Sequence, residues 1–478
     1  MKILLFNPPT PEGKRFIREG RCTQEEGAWG TLWPPLSLAT AAAVLERAGY
    51  AVKLRDFPAE GAGLREFEKV VVAFRPDVAI WSSATPSLNS DLAFAASLKA
   101  MLPGVITCTF GTHVGTLSRE CFEAYPQLDY IIRGEPELTV QDLIEALEGK
   151  KAVGSVPGLA FMRDEKEWVI TEPRALPKNL DDLPDPAWHL LDLNAYRLPL
   201  KGRKFLMVVP TRGCPYACSF CTTHSYYGKN LRRRSPARVV QEIRRNVESF
   251  GVRDFLFWSD TFTLDRQYVK DLCRAILDAN LKVSWACNSR VDTADLETFR
   301  IMKKAGCWMV SYGIESSSQD VLNLSKKGAE VQDVGQAVRW TQEAGLMATG
   351  HFVLGLPGDT ASSIQETVEF SMKLGLDFAQ YYCAVPFPGS SLYTESKRNG
   401  WLSDEPWENF RQDKALLHLP GLPPETVERL RDDAYRRFYS NPKTWLSKIQ
   451  LLRPSAIPHM FSTLKAVIGW RHYSLPDS

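Results

Sequence analysis

Three cysteines in one short segment are the residues most able to do chemistry in this 478-residue chain. Cys214, Cys218 and Cys221 are spaced CxxxCxxC and follow a strand-like stretch at 205–210. A zinc site normally has four protein ligands, or three and a water, and usually shows paired CxxC knuckles. Three close thiolates with no fourth nearby favour a cubane iron–sulfur cluster with one iron open to another ligand. The neighbouring glycine and proline predict a loop rather than three buried, unligated cysteines.

The composition is that of an ordinary soluble globular protein, with 44% hydrophobic and 24% charged residues. The length predicts two or three domains. A net charge of +2 is too small an excess of positive charge to indicate that the protein binds nucleic acid. The apolar start, 1–6, is too short for a signal-peptide core, and no apolar run is long enough to span a bilayer. The seven cysteines outside the triplet are scattered, so we expect reduced thiols in the cytoplasm.

Residues 1–150 alternate short apolar runs with helical patterns, which predicts an α/β fold with a doubly wound, Rossmann-like parallel sheet. Helices are expected at 36–48, 63–74 and 91–102. The expected strands are 2–6, 51–54, 78–81, 105–109 and 130–132. Such sheets bind ligands beyond the carboxyl ends of their strands. The loops that follow those ends are 7–30, 82–89, 110–116 and 133–137.

Residues 151–200 are interpreted as a linker with a hairpin around Arg163–Glu167 and a proline-rich stretch at 176–186. A second strand–helix series at 201–410 predicts a partial parallel (β/α)6 barrel, whose chemistry would lie at the carboxyl ends of its strands. The six expected strands are 205–210, 254–258, 283–287, 308–314, 348–354 and 378–385.

The region 411–478 is expected to be helical. It has an amphipathic pattern at Glu425–Tyr439 and short apolar stretches at 446–452 and 461–470. We interpret it as a cap on the barrel. A surface that touches a membrane edge is the alternative.

The segment Thr211–Cys221 resembles the cysteine motif of the radical S-adenosylmethionine (radical SAM) superfamily. The resemblance implies that the three cysteines are catalytic and hold a 4Fe-4S cluster, whose open iron binds the amine and carboxylate of S-adenosylmethionine. It also implies that reduction cleaves this cofactor to a 5′-deoxyadenosyl radical, with electrons from a donor such as flavodoxin or ferredoxin.

The same resemblance implies cofactor contacts at successive strand ends. Asp260 would accept hydrogen bonds from the amine, although relatives often carry two acidic residues where this chain has Ser259-Asp260. Arg290 would pair with the carboxylate, since a guanidinium recognises carboxylate bidentately. Glu315, in Tyr312–Ser316, would bind the ribose. Further contacts near the adenine are expected from the cysteine loop and from a Gly-rich turn: Tyr216, Phe220, Gly355 and Pro357.

Two features near the cysteines are expected to have structural rather than catalytic roles. His224, just after the third cysteine, is expected to line the cavity, with a role as fourth ligand or acid as the alternative. The run Arg232–Arg234 is expected to be a solvated face, with contacts to a cofactor phosphate as the alternative.

A doubly wound domain before such a barrel resembles the cobalamin-binding subclass. The segments that carry the resemblance are Trp33–Thr40, Gly111–His113 and Asp129–Glu135. Cobalamin contacts are therefore expected in the loops after the strands, at Asn7, Pro8, Ser83, Gly111, His113, Gly134 and Glu135. Many cobalamin proteins place a cobalt-ligating histidine after the first strand, where this chain has Asn7-Pro8-Pro9. The lower face of the cobalt would then be left to water, to nothing, or to a residue such as those of 82–87, and His113 would bind the nucleotide tail.

The resemblance implies a methyltransferase that removes hydrogen from an unactivated carbon and replaces it with a methyl group from methylcobalamin. One alternative is an oxidative cyclase of the anaerobic Mg-protoporphyrin ester type. A tRNA methylthiotransferase is disfavoured, because only Cys22, Cys108 and Cys121 precede position 200 and they are widely spread. A non-catalytic cobalamin or redox sensor is the alternative from another class.

The motifs do not identify the substrate. The aromatic segment Gln380–Gly389 and the C-terminal region are expected to shape its pocket. A lipid, a tetrapyrrole or a secondary-metabolite intermediate all fit. We expect a small-molecule substrate, no nucleic acid and no transmembrane segment, with peripheral membrane contact left open.

Overall fold

The computed structural model has two consecutive α/β units. It describes residues 1–10, 15–19, 22–25, 32–163, 167–198, 201–293 and 295–441. The expected apolar stretches at 446–452 and 461–470 lie outside this described part.

The first unit contains nine strands and seven helices among its described residues. The strands are β1 (Lys2–Asn7), β2 (Phe16–Glu19), β3 (Cys22–Glu25), β4 (Ala51–Asp56), β5 (Val78–Ser82), β6 (Ile106–Phe110), β7 (Tyr130–Ile132), β8 (Leu159–Arg163) and β9 (Glu167–Ile170). The helices are α1 (Leu36–Arg47), α2 (Leu64–Phe74), α3 (Leu88–Leu92), α4 (Phe94–Met101), α5 (Thr112–Thr116), α6 (Ser118–Ala124) and α7 (Pro136–Leu147).

The main sheet of this unit has the order β4-β1-β5-β6-β7-β8-β9. The first five strands in this order are parallel, so their carboxyl ends share one edge. This confirms the doubly wound sheet. The expected hairpin at Arg163–Glu167 is also present, but β8 pairs antiparallel with β7 and the hairpin extends this sheet. Residues 159–170 therefore belong to the first unit rather than to a free linker.

The second unit begins at Phe205. Its strands are β10 (Phe205–Val208), β11 (Thr211–Arg212), β12 (Arg232–Arg233), β13 (Asp254–Phe257), β14 (Ser284–Ser289), β15 (Cys307–Glu315), β16 (Met347–Leu354) and β17 (Phe378–Cys383). Its helices are α8 (Thr223–Tyr226), α9 (Pro236–Phe250), α10 (Arg266–Asp278), α11 (Leu296–Lys304), α12 (Gln319–Leu324), α13 (Val331–Glu343), α14 (Ala361–Lys373), α15 (Ser391–Arg398) and α16 (Pro424–Ser440).

Six parallel strands form the second sheet, in the order β10-β13-β14-β15-β16-β17. This confirms the partial barrel. Local sequence explains its helices well. In α9, the side chain of Ser235 accepts from the N–H of Arg238, Pro236 occupies the first turn, and Gly251 ends the helix at a φ of +65°.

The expected C-terminal cap is confirmed for its described part. Helix α16 packs against β17 and α14, and the rings of Tyr381 and Tyr435 meet edge to face at 5.3 Å. The two units also meet directly, because Trp33 before α1 lies edge to face on Trp258 after β13, with ring centroids 4.7 Å apart.

Candidate functional site

The three cysteines lie in one loop, which a two-stranded ribbon closes. Strands β11 and β12 pair antiparallel, so Arg212 lies opposite Arg232 and residues 213–231 form the loop between them. Gly213 has a φ of +88°, and a Cβ there would lie 2.3 Å from the carbonyl oxygen of Asn230. Only glycine permits this turn directly before Cys214.

Asp260 after β13 holds this loop in place. One carboxylate oxygen accepts the N–H of Gly213 at 2.9 Å, and the other accepts the hydroxyl of Thr223 at 3.0 Å. The sequence motif thus places Asp260 correctly beside the cysteines. Its contact with the cofactor amine stays a prediction, and its bracing contacts were not foreseen.

The nine described cysteines are all free thiols, and the three in the loop are partly exposed. His224 supports the loop, because its Nε2 lies 2.8 Å from the carbonyl oxygen of Cys214 and must donate there. Burial raises the pKa of the Cys218 thiol to about 11, and the charge of Lys327 opposes that rise. Binding iron would therefore remove a proton from this thiol.

The loop fits a cubane cluster. Among the described residues, no three His, Cys, Asp or Glu side chains converge closely enough to ligate a single metal ion. A four-iron cluster does not require such convergence, because each thiolate binds a different iron. The chemistry of the donor set, three free thiols in one braced loop, therefore fits the iron–sulfur group.

Arg290 after β14 lies over the ring of Tyr216 in the cysteine loop, with its Cζ 3.5 Å from the ring centroid. Its guanidinium is paired with Asp292 at 2.8–2.9 Å and donates to the carbonyl oxygens of Lys327 and Gly328. Arg290 thus lies beside the cysteine loop and already has a carboxylate partner within the chain. Its pairing with the cofactor carboxylate stays a prediction.

A second buried cation, Lys327, also acts on the charge of Cys218. The Nζ of Lys327 lies 2.7 Å from Oε1 of Glu315, and both side chains are 7% exposed. A Cβ at Gly313 would lie 2.5 Å from this carboxylate oxygen and 2.8 Å from Nζ. The glycine of the Tyr312–Ser316 segment therefore leaves room for the ion pair.

The Gly-rich turn after β16 packs on the C-terminal helix. A Cβ at Gly355 would lie 3.1 Å from Cγ1 of Val427 in α16. Pro357 is buried, and Phe220 is a partly buried side chain packed on the core. Their expected contacts with the adenine stay predictions.

The carboxyl edge of the first sheet gathers the residues expected to contact cobalamin. The amide oxygen of Asn7 accepts from the hydroxyl of Ser82, and Pro8 is buried directly after it. Gly111, with a φ of +154°, allows a close backbone contact, because a Cβ there would lie 2.3 Å from the carbonyl oxygen of Ser83. These loops meet at one edge as the parallel topology requires.

Hairpin β2–β3 brings a buried arginine to the same edge. Arg18 forms a bidentate ion pair with Asp91 at 2.7 and 3.0 Å, and both side chains are fully buried. Its Nη1 has no hydrogen-bond partner among the described residues. An unsatisfied buried donor fits an additional polar ligand such as cobalamin, whose amide side chains carry carbonyl oxygens.

His113 is buried and uncharged. Its Nδ1 lies 3.4 Å from Oγ1 of Thr85, and the ring of Trp407 covers it edge-on at 4.4 Å. Burial lowers its pKa to about 3. Binding of the nucleotide tail by this side chain stays a prediction, and Trp407 separates it from the surface.

Gly134 and Glu135 face the barrel. Glu135 is ion-paired with Arg212 and Arg232, whose side chains are only 6–7% exposed. Arg234 is also buried, paired with Glu242 and Asp185. The expected solvated face at Arg232–Arg234 is therefore wrong for two of its three members, because acidic partners distant in sequence cover them. Arg233 alone is half exposed, beside Asp265.

The family models match both units. The Radical SAM superfamily model matches residues 208–371, and the B12 binding domain model matches residues 28–144. An uncharacterized methyltransferase of Pyrococcus horikoshii is 32% identical over 451 residues, which cover 94% of this chain and 95% of that protein. The chain belongs to the cobalamin-dependent radical SAM enzymes. Its cofactors are a 4Fe-4S cluster, S-adenosylmethionine and cobalamin.

Two further proteins share a lower identity with this chain. The cytidylyl-2-hydroxyethylphosphonate methyltransferase of Streptomyces wedmorensis is 27% identical, covering 88% of this chain and 86% of that protein. The solved structure of the radical S-adenosylmethionine methyltransferase TsrM from Kitasatospora setae has a TM-score of 0.71 at 17% identity, covering 92% of this chain and 89% of that one. This likeness supports the same two-unit fold.

Several residues that the sequence motifs did not indicate lie at the site. Lys327, Asp292 and Thr223 contact predicted site residues, and Arg212 lies two positions before the first cysteine. Among these residues, only Arg212 could have been singled out from the sequence, because it lies inside the cysteine segment.

Among the described residues, no helix has both the length and the apolar character needed to cross a bilayer.

Proposed function

We propose that this enzyme transfers a methyl group to an unactivated carbon of a small organic molecule bound inside the barrel. The observation that carries the proposal is the direct contact between the cysteine loop and the carboxyl edge of the cobalamin-binding unit, through Arg212 and Glu135. When bound, the cluster and S-adenosylmethionine supply hydrogen-atom abstraction, and methylcobalamin supplies the methyl group. The named methyltransferases among its relatives support this reaction class.

The chain's own residues would hold the cofactors as follows. Cys214, Cys218 and Cys221 would each bind one iron, with Asp260 and His224 fixing the loop around them. This bracing would hold the three thiols in place before the cluster and S-adenosylmethionine bind, as in a preorganised site.

Two cations beside Cys218 are suited to the methionine carboxylate. Arg290 is preoriented by its cation–π contact with Tyr216, and Lys327 is a compact donor in a buried site. Glu315, which now accepts from Lys327, is suited to accept from ribose hydroxyls. These assignments of the cofactor-binding residues are proposals.

Three polar side chains on neighbouring strands face the barrel interior, where the substrate would bind. Phe352 and Tyr381 are fully buried and stack on each other at 5.3 Å, toward helix α16. Because side chains alternate along a strand, the neighbouring His351, Gln380 and Tyr382 face the interior. All three are only partly buried.

These three interior side chains form a hydrogen-bonded chain. Tyr382 donates its hydroxyl hydrogen to the amide oxygen of Gln380, and Nδ1 of His351 lies 3.1 Å from the Tyr382 oxygen. Since the tyrosine hydrogen is already donated, Nδ1 of His351 is the donor in that contact. We propose that this chain of side chains orients a polar substituent of the substrate near Glu315, whose strand β15 pairs with β16.

The domain contact also excludes water. Trp33 packs on Trp258 where the two units meet, and Trp407 and Phe410, whose ring centroids are 4.7 Å apart, pack over the cobalamin-binding unit. Removing water and stray hydrogen donors protects a reactive centre during transfer.

We further propose that the enzyme works in the cytoplasm with a small electron donor such as flavodoxin or ferredoxin, and that it binds no nucleic acid. The free thiols support a reducing compartment, and the near-zero net charge argues against a nucleic-acid partner.

Anaerobic turnover of the reconstituted enzyme with methyl-labelled S-adenosylmethionine and cell extract tests the function. We expect 5′-deoxyadenosine and a labelled small molecule, both detected by mass spectrometry. Formation of 5′-deoxyadenosine with an unlabelled, oxidised product would favour the cyclase alternative. Absence of 5′-deoxyadenosine after reduction would favour a sensor.

A further inference from the structure

Both ends of the cysteine loop rest on one carboxylate of the cobalamin-binding unit. Nη1 of Arg212 lies 3.0 Å from Oε2 of Glu135. On the opposite strand of the ribbon, Arg232 donates to both oxygens of the same carboxylate, with its Nη1 3.2 Å from Oε2. Because Arg212 and Arg232 pair across β11 and β12, the two positions that close the loop share one anchor.

The anchor comes from the loop expected to contact cobalamin. Glu135 follows Gly134, whose φ is +80°, and it is the N-cap residue of α7. Glu137 in the first turn of α7 adds a second carboxylate, at 2.7 Å from Nη2 of Arg212. The anchor thus joins the carboxyl edge of the first sheet to the segment that carries the cluster ligands.

The contact is buried. The four side chains are 3–7% exposed. In such surroundings, charge-assisted and bidentate hydrogen bonds fix direction as well as distance. A buried ion pair is often no more stabilising than a well-packed apolar group, so added stability alone explains it poorly. Fixing the register between two parts of a fold is the better-attested use of such groups.

We propose that Glu135, with Arg212 and Arg232, is a positioning device that couples the two cofactor sites, so that cobalamin binding stabilises the cluster in its loop. This inference rests on the proposed function, because it assumes that both cofactors bind. A ligand that orders the Gly134–Glu135 loop also orders its anchor contacts, and through them both ends of the cysteine loop. Coupling of this kind is reciprocal.

The test measures cluster loss rather than turnover. The full chain is reconstituted with iron and sulfide, and iron release to an excess of a ferrous chelator is followed with and without hydroxocobalamin. We expect cobalamin to slow iron release at least about fivefold in the unmodified chain, which is the lower end of typical coupling between sites. In Glu135→Gln and Arg212→Met we expect a cobalamin effect below about twofold.

Arg234→Met is the matched control, because Arg234 is an equally buried arginine near the same strand but pairs with Glu242 and Asp185. It should keep the cobalamin effect even if it lowers the melting temperature. Arg212→Lys keeps the positive charge but loses the two guanidinium nitrogens that donate to separate carboxylates, so it should keep only part of the cobalamin effect on iron release. These variants remain informative if Arg212→Met fails to fold.

Two results would overturn the coupling while leaving the proposed function intact. One is an unmodified chain that retains cobalamin and makes 5′-deoxyadenosine but loses iron equally fast with and without cobalamin. The other is loss of the cobalamin effect in Arg234→Met as well, which would indicate general destabilisation. An unmodified chain that retains no cobalamin after gel filtration would overturn both proposals.

Discussion

Lys327 forms a buried ion pair with Glu315 in the space left by the missing side chain of Gly313. The pair also lies near Cys218, because the charges of both partners act on the pKa of that thiol. Glu315 itself has a left-handed backbone, with a φ of +67°, which for a non-glycine residue indicates a conformation held by its surroundings. This relationship links the Tyr312–Ser316 segment to the cluster loop.

Gly313→Ala tests that relationship. The new methyl group would lie 2.5 Å from Oε1 of Glu315, so the ion pair must move. We expect a loss of about 1–3 kcal/mol in unfolding free energy and at least tenfold weaker S-adenosylmethionine binding, measured by denaturant unfolding and isothermal calorimetry. Gly335→Ala in helix α13 is the control, and should stabilise the protein by up to about 1 kcal/mol. Unchanged cofactor binding in Gly313→Ala would contradict the assignment.

Removing only the cation should be more harmful than removing both charges. Lys327→Met leaves Glu315 buried without its partner, which typically costs about 3–5 kcal/mol. Lys327→Met combined with Glu315→Gln should recover at least half of that loss in chemical unfolding. Binding of S-adenosylmethionine should not recover in the double variant. If stability and binding recover together, Lys327 acts only through the fold.

Asp260→Asn should loosen the cysteine loop. An amide oxygen can still accept the N–H of Gly213, but the amide N–H₂ group then faces Thr223, whose hydroxyl must change from donor to acceptor. We expect less than half of the iron of the unmodified chain after reconstitution, measured by iron analysis and electron paramagnetic resonance. Asp265→Asn is the control, since this residue caps helix α10 and asparagine caps equally well. Full iron content in Asp260→Asn would refute the bracing role.

Glu19→Gln should change the dependence of stability on pH. Burial raises the pKa of Glu19 from 4.5 to about 7, while hydrogen bonds from Ser37 oppose the rise. The stability contributed by the protonated carboxyl is complete below pH 4.5 and is lost as the pH rises to about 7. The difference between the two pKa values corresponds to about 3 kcal/mol.

The melting temperature therefore tests Glu19 at pH 5 and pH 8. Glu19→Gln should gain stability relative to the unmodified chain at the higher pH, because it cannot ionise. The exposed Glu297→Gln should show no such gain. Burial also raises the pKa values of Asp56 and Asp359 to about 6. Both residues are present in both proteins, so their effect on stability cancels in the comparison. Parallel pH profiles of Glu19→Gln and the unmodified chain would contradict the prediction.

His351→Phe tests the substrate pocket. The substitution removes the hydrogen bond to Tyr382 while keeping an aromatic ring in the barrel. Transfer of label from S-adenosylmethionine to the product should fall at least about tenfold more than formation of 5′-deoxyadenosine, since loss of one buried hydrogen-bond partner costs about 1–3 kcal/mol. Equal losses of both products would indicate that His351 acts on the cofactor rather than on the substrate.

The strands of both units could be predicted because each is encoded by local periodicity within a few residues. The five parallel strands of the first sheet and the six of the barrel lie where the apolar runs predicted them. Asp260 and Arg290 follow their strands as expected, whereas Glu315 is the last residue of β15. The hairpin at 159–170 was also recognisable as a hairpin. The sequence did not indicate that this hairpin joins the first sheet, because the pairing of β8 with β7 depends on contacts between residues that are distant in sequence.

The sequence by itself determined the cysteine motif, the order of the two units and therefore the cofactors. The tertiary structure alone decided the partners of the charged groups. Arg212 and Arg232 pair with Glu135, which lies 77 and 97 residues away in the sequence, and Arg290 lies over the ring of Tyr216 in the cysteine loop. The physical reason is that strand and helix patterns follow from neighbouring residues, whereas a buried ion pair depends on which distant charges the folded topology brings within hydrogen-bond distance.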